Sequence, residues 1–373
     1  MKFLSLLAVV LCVTMLTAPV SASEIHANTG FQFDWWDSDD DSNATQISIP
    51  LTVEGTYQKY SLRLLTGFAS TNIELDDGTD ESLSSLLDTK LNFSYEVPGN
   101  LPADILIGLD LNLPTGKTDL SDEELILIMD PDLISITTFG EGFNINPTLN
   151  AVKKWKDWVA GIGVGYLFRG EYDFSENTEN YDPGDIINVS AEARYYSQSA
   201  WDARVFGFFA HYFKDEQDGT EIAQEGDRFL IGFGVNYDQA EWVAGATVRA
   251  VFRDKTSKLR EVSGVPSDIS EGNEWVGDLY YIRELNSLTT LKTTFQGRYI
   301  GENDEDSGSG QFIGSRNKFT LGVGATRKFE NQITGEANIK GFIKNDDETE
   351  FPEELDSISY KGLIAMISVS KSF

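Results

Sequence analysis

Charged side chains set at alternate positions within apolar stretches are the residues here whose type and spacing could do chemistry. Arg63, Lys90, Asp110, Glu192, Arg194, Arg228, Arg249 and Arg298 each stand out of phase with a neighbouring run of aliphatic or aromatic residues. If the apolar faces meet lipid, these charges line a lumen. The chemistry open to such a wall is selection of solutes in a water-filled pore by a charge ring of both signs that leans basic. The plainer alternative is a polar wall whose charges pair with one another.

Other chemistries find little support. The chain holds 2 histidines, His26 and His211. His26 precedes the first expected strand, and His211 sits at a strand end with no nucleophile identifiable near it, so no catalytic residue is assigned and no enzyme is expected. Asp37, Asp39 and Asp41 resemble the start of a calcium loop, but the glycine and the closing glutamate are missing, so neither a metal nor another cofactor is expected. Gly116, Lys117 and Thr118 follow Leu111 where a phosphate loop needs its first glycine. The 1 cysteine, Cys12, lies in the leader described next. That excludes disulfide and thiolate chemistry from the mature chain. A formal charge of −31 argues against nucleic acid as a partner.

The elements that must position the lumen charges repeat one theme. Residues 1–22 read as a secretory signal: Lys2, an apolar run from Phe3 to Leu16, and small residues up to Ala22. From about Gly30 to Phe373, alternating apolar stretches are joined in turn by short polar turns and long acidic loops. Ile47, Ile49, Leu51 and Val53 show the pattern, as do Phe229, Ile231, Phe233, Val235 and Tyr237. The rhythm predicts an all-β fold, one transmembrane antiparallel β-barrel over residues 23–373 with about sixteen strands (fourteen to eighteen) of about ten residues. Extracellular loops are then long and acidic, and periplasmic turns short. Aromatic residues sort by strand end, as an interfacial girdle requires. Trp155, Trp158, Trp201, Trp242 and Tyr237 fall beside short turns; Trp35, Trp36, Phe168, Phe252 and Trp275 fall at the opposite ends. The last strand, from Ser359, is expected to pair with Gly30 to Asp37 and close the cylinder.

The excursion from Pro114 to Gly142 breaks the rhythm. Ser121 to Glu124 form a capping box, predicting a loop helix over about 120–130 with Leu125, Ile126, Ile128 and Met129 apolar. These four are candidates for a constriction or gate folded into the barrel, or for contact with a hydrophobic solute. Packing over the rim is the other reading. The acidic loops could concentrate cations at the mouth, or hold divalent ions that bridge to lipopolysaccharide.

Three segments carry a likeness to a known family: Leu87 to Tyr95, Leu111 to Lys117 and Phe143 to Pro147. They resemble outer-membrane transporters typified by proteins encoded beside the meta-cleavage pathway of phenol degradation, loosely related to fatty-acid channels. The resemblance implies passive uptake across a Gram-negative outer membrane, with hydrophobic or aromatic solutes as cargo. Cations are the cargo the mouth charge implies. Expected partners are outer-membrane lipid, lipopolysaccharide, the barrel assembly machinery and a small solute. The alternatives are a non-conducting barrel that serves adhesion or docking, and a barrel that clamps a periplasmic electron-transfer partner. Phe373 is the expected assembly signal, with Lys371 interrupting its apolar face. Deleting Phe373 is predicted to lower the outer-membrane yield far more than Lys371→Ala, and equal yields of the wild type and the deletion would refute that role.

Overall fold

An open sheet edge in lipid leaves backbone donors and acceptors without partners, so a spanning sheet must close on itself. In the computed structural model, which describes residues 24–99, 101–258, 268–351 and 354–373, it does. The expected signal at 1–22 and Asn100 of the turn after Val97 lie outside the described residues. Sixteen antiparallel strands form the barrel. They are β1 (Glu24–Ser38), β2 (Asn43–Tyr57), β3 (Tyr60–Glu74), β4 (Asp80–Leu86 continued by Thr89–Glu96), β5 (Asp104–Leu113), β6 (Asn144–Trp155), β7 (Trp158–Arg169) and β8 (Ile186–Tyr196). The second half runs β9 (Trp201–Tyr212), β10 (Arg228–Gln239), β11 (Trp242–Arg253), β12 (Glu274–Asn286), β13 (Thr289–Ile300), β14 (Arg316–Lys328), β15 (Ile333–Asp346) and β16 (Ile358–Ser372). β1 pairs with β16 from His26↔Ser372 to Ser38↔Tyr360, which is the closure.

The register sorts the side chains as the period of two requires. Ile47, Ile162, Phe233, Leu321 and Ile367 point outward and are exposed as a lipid-facing belt. At the short-turn end, rings from neighbouring strands touch in sequence: Tyr60 with Tyr95, Trp158 with Tyr195, Tyr195 with Trp201, and Trp242 with both Tyr237 and Tyr281. Their centroids are 4.9 to 5.8 Å apart. This is one interfacial girdle. Lys371 stands in the outward phase and lays its ammonium 4.5 Å from the centre of the Phe373 ring, so its charge is accommodated at the boundary.

Four local expectations are corrected. His26 lies within β1, because that strand begins at Glu24, and its Nδ1 is 3.1 Å from Ser372 Oγ. Trp36 is 3% exposed and faces the interior, since its neighbour Trp35 occupies the outward phase; it belongs to no girdle. The first two outer connections are tight turns of residues 39–42 and 75–79, because β1, β2 and β3 extend to 15 residues each and leave little chain between strands. The loop helix narrows from about 120–130 to a single 3-10 turn, Glu124–Leu127.

The other outer connections build upward. Lys214–Gln217 and Thr220–Gln224 form a hairpin around Asp218 and Gly219, both at positive φ, as a two-residue hairpin turn requires. With Tyr181–Asp182, Thr256–Lys258 and Asp268–Ile269 they make a separate five-stranded sheet above β7 to β12. No helix among the described residues is long and apolar enough to cross a membrane; the crossing elements are strands.

Candidate functional site

The segment between β5 and β6, residues 114–143, folds into the barrel. Leu120, Leu127, Met129, Leu133, Ile134 and Phe139 are buried, and they pack in one cluster with Trp36, Ala44, Ala69, Ile73, Leu83 and Phe342. Those six barrel residues all lie on the inward phase of β1 to β4 and β15. Of the gate candidates, Met129 is buried, while Leu125, Ile126 and Ile128 are half-buried against the same cluster. Fully burying a Leu or Ile side chain contributes about 1.5–3 kcal/mol, so the cluster alone favours the inward position over one at the rim.

Sequence forms this loop locally and wall residues hold it. The capping box closes as its spacing implies: Glu124 N–H donates to Ser121 Oγ at 3.3 Å, and Ser121 N–H donates to Glu124 Oε2 at 3.0 Å. Asp130 and Pro131 stop the turn after Ile128. Gln46 on β2 then acts as a backbone surrogate, its Nε2 donating to the Ile136 carbonyl at 2.8 Å while its Oε1 accepts from the Ile136 N–H at 2.9 Å. Asp34 on β1 accepts from the Ser135 N–H at 2.9 Å.

Asp88 fixes both ends of the segment. Leu86 faces Phe68 while Lys90 faces Leu65, so β4 carries one extra residue there and bulges. The bulge presents the buried Asp88 carboxylate to three donors: Gly116 N–H at 2.8 Å, Glu141 N–H at 2.7 Å and Asn112 Nδ2 at 2.6 Å. Gly116 must be glycine, because a Cβ would stand 1.8 Å from the Phe139 carbonyl oxygen.

The far tip is held by charge. Asp132 lies 2.5 Å from Arg298 of β13, and its backbone carbonyl accepts from Lys318 of β14. Asp130 is 3.1 Å from Lys344 of β15 and 3.9 Å from Arg316. Lys344 is buried, with its ammonium shared between Asp130 and Asp346 and placed 4.7 Å from the centre of the Tyr360 ring. Burial pushes the Asp130 carboxyl up, but Lys344, the Asp132 N–H and Arg316 together hold it below the ordinary 3.8.

The segment thus lines β1 to β4 and β13 to β16, and the passage is bounded opposite by β6 to β12. That wall is rich in inward glycines: Gly161, Gly163 and Gly165 on β7, and Gly232 and Gly234 on β10. Phe206 lies flat across Gly232, where a Cβ would come within 2.2 Å of the ring. The Arg204 guanidinium covers the Phe206 ring at 4.9 Å. Phe208, Leu230 and Val251 follow one another across β9, β10 and β11 and face inward, with Phe208 38% exposed.

The eight charges named above for the lumen lie on the inward phase, and each has a partner. Arg63 meets Glu54 at 2.8 Å, Lys90 meets Glu141 at 3.9 Å, and Arg249 meets Asp278 at 2.8 Å. Glu192 sits between Arg194 and Arg204, at 3.4 and 3.6 Å. Arg228 pairs with Glu225, and Arg298 reaches Glu274 as well as Asp132. Asp110 accepts from Asn92 at 2.8 Å and from Asn146 at 3.0 Å. The acidic turn of Asp37 to Asp41 serves the fold: Asp37 pairs with Lys361, Asp39 accepts from the Ser359 N–H, and Asp40 caps the turn at Ser42. His211 faces outward, 2.8 Å from Asp227 and edge-on to Phe213. Sequence reasoning missed Asp34, Gln46, Asp88, Asp130 and Asp132. The first two were recoverable, since a polar residue on the inward phase of a strand near an apolar loop is a ready anchor.

A family model described as "MetA-pathway of phenol degradation" matches residues 14–242. The chain belongs to this family. Its fold is shared with solved outer-membrane proteins. Acinetobacter baumannii OccAB1 superposes with a TM-score of 0.50 at 8% identity, over 94% of this chain and 96% of that one. Pseudomonas aeruginosa OpdK, solved with vanillate, gives 0.47 at 8% identity over 94% and 99%. An anion-selective porin from Comamonas acidovorans gives 0.44 at 12% identity over 94% and 98%. At such identities the likeness is one of fold. No curated protein matches the sequence. This member of the phenol-degradation family is an outer-membrane β-barrel.

Asp88→Ala is predicted to leave buried donors open at a cost of about 1–3 kcal/mol each. The barrel should stay folded while residues 117–138 become cleavable by added protease; unchanged resistance would remove Asp88 from the role of clamp. Because the Asp130 pKa is depressed on folding, its anchoring contribution is full above 3.8 and is lost as pH falls through the lower folded value. Protease resistance of the segment should therefore be flat from pH 8 to about 4, and a loss near pH 6 would contradict the ion contact.

Proposed function

We propose that this protein is a passive diffusion channel of the outer membrane for small solutes with aromatic or other apolar bodies. The observation that carries the reading is the segment 114–143, which is anchored along one half of the inner wall and leaves the glycine-rich half uncovered. A loop held by apolar packing, a backbone-like Gln46 pair and buried ions narrows a lumen without needing to move. The row of Phe208, Leu230 and Val251 supports the apolar preference. Apolar side chains facing a watery lumen are the informative exceptions on a polar wall. Arginines stand on either side of the row: Arg228 and Arg253 toward the loops, Arg204 and Arg249 toward the turns. A solute with a ring and a polar end could move along such a wall without losing contact.

The acidic outer loops would instead favour cations. Much of that charge is engaged internally, as Asp215 is by the Tyr181 hydroxyl and the Gly184 N–H. Deleting residues 120–130 tests the reading. Single-channel conductance in planar bilayers and liposome swelling with phenol-sized solutes should both rise, by about twofold or more if the segment sets the narrowest section. Unchanged conductance and swelling would sink the constriction. Absence of any current from the wild type and the deletion alike would turn the reading to a docking barrel.

A further inference from the structure

Many charges of the lumen wall are paired with one another, and two lysines that border a cavity are not. Among the described residues, Lys292 on β13 and Lys340 on β15 have neither a carboxylate at salt-bridge distance nor a hydrogen-bonded partner, and both are exposed to the lumen. They flank β14, where Lys292 faces Gly324 and Lys340 faces Gly322. These glycines form a floor over which neighbouring side chains lean. A Cβ at Gly322 would stand 2.5 Å from Thr294 Oγ1 and 2.9 Å from Lys340 Cγ. With strands about 4.8 Å apart and inward positions about 7 Å apart along each, two extended lysines across one glycine strand can reach the same small anion.

We propose that Lys292 and Lys340 form a binding site for an aromatic carboxylate, on the periplasmic side of the constriction. A cavity of about 370 Å³ lies there, lined by both lysines with Tyr280, Ile282, Thr294 and Thr320. Tyr280 supplies the aromatic surface. Its hydroxyl donates to Asn236 Oδ1 at 2.7 Å, and its ring lies against Gly245, where a Cβ would be 2.3 Å from Cε1. The ring is thus held against the wall over β11, at the edge of the cavity that it lines with the two lysines, where its aromatic surface can stack with a ring. Asp278 also lines the cavity, but Arg249 at 2.8 Å and Gln296 at 2.6 Å already satisfy it. Among the residues that line the cavity, the uncompensated charge belongs to the two ammonium groups. A compact inorganic anion would use the lysines alone, whereas a ring bearing a carboxylate uses the lysines, the threonine hydroxyls and the Tyr280 face together. Lys344, which holds Asp130 of the constriction, is four residues outward from Lys340, about 13 Å along the strand. A solute passing the constriction therefore meets this pair next.

The site names the solute class of the channel proposed above and rests on that reading only for its biological use, so binding and conduction are measured separately. Benzoate is titrated by calorimetry into the refolded full barrel in detergent, with heat-modifiable electrophoretic mobility confirming folding of each variant. Losing two charge-assisted contacts in K292Q/K340Q should weaken benzoate binding about tenfold or more, while K292R/K340R, which keeps the charge, should bind within about threefold of wild type. Equal affinity in the wild type and K292Q/K340Q would overturn the site. Inorganic phosphate binding as tightly as benzoate would overturn the aromatic assignment. In planar bilayers, benzoate should reduce wild-type current more than that of K292Q/K340Q. Lysine-dependent binding in a barrel that carries no current would refute the channel and leave the site standing, whereas current without lysine-dependent binding would do the reverse.

Discussion

Three donors converge on one buried carboxylate at Asp88, and the shape of the passage follows from that convergence. A segment that leaves one strand and returns to the next can lie over the mouth or drop inside. Both termini of the segment here are tied to the same wall residue, through Gly116 and Asn112 on the outgoing side and Glu141 on the return. The bulge in β4 makes this possible, because the extra residue re-aims a side chain that a regular strand would have placed in fixed alternation. Once the root is set, the apolar side chains have a single dry place to go. That place is the inner face of β1 to β4, which is apolar where other parts of the lumen wall are polar. The ions at the tip come last in this order. Buried ion pairs contribute little net stability, but removing one partner leaves a costly charge. Asp130 and Asp132 therefore act chiefly as a specification of where the tip rests on β13 to β15.

The same arrangement changes what the strong net charge means. A formal charge of −31 suggests a cation path if read as a uniform field. Many of the carboxylates are instead bound to wall cations or to loop backbone. Exposed charges farther than about 8–10 Å away are also screened at ordinary ionic strength. The field along the passage is consequently local. It is set by the wall charges of either sign that find no partner nearby, not by the excess of acid over base in the whole chain.

How much of this was legible in the sequence depended on range. A period of two is local, so the inward charges from Arg63 to Arg298, the outward belt and the ring of Trp158, Tyr195, Trp201 and Trp242 could be read directly. So could an even count of about sixteen and its closure, because each connection returns the chain to the next antiparallel strand and both ends of the barrel lie on one side. The capping box at Ser121 was legible for the same reason. Trp36 was misplaced by attending to its type instead of its phase: Trp35 is outward, so its neighbour cannot be. Whether the 114–143 segment enters the lumen was not legible, because the deciding contacts link Ile136 to Gln46 and Asp132 to Arg298, far apart in sequence. No periodic pattern specifies such a pair. The reduction of the expected helix to one 3-10 turn has the same origin, since the tertiary anchors at Asp130, Ser135 and Ile136 hold the chain beyond Leu127 in a non-helical path.

The segments that carried the family likeness gain a physical role from these contacts. Leu87 to Tyr95 contains Asp88, and Leu111 to Lys117 contains Asn112 and Gly116. Phe143 to Pro147 contains Asn144 and Asn146, which accept the Gly170 N–H and bridge to Asp110. Thr89 and Thr115 add a hydroxyl contact at 2.9 Å between the first two segments. All three stretches meet at the root of the constriction. A match built on them speaks to how the loop is held inside the barrel. Solute preference must be written elsewhere, in positions free to vary without loosening that root. Phe206, Phe208, Leu230, Tyr280, Lys292 and Lys340 are such positions: none of them contacts the Asp88 clamp, and each presents its side chain to the open half of the lumen or to the cavity beneath the constriction.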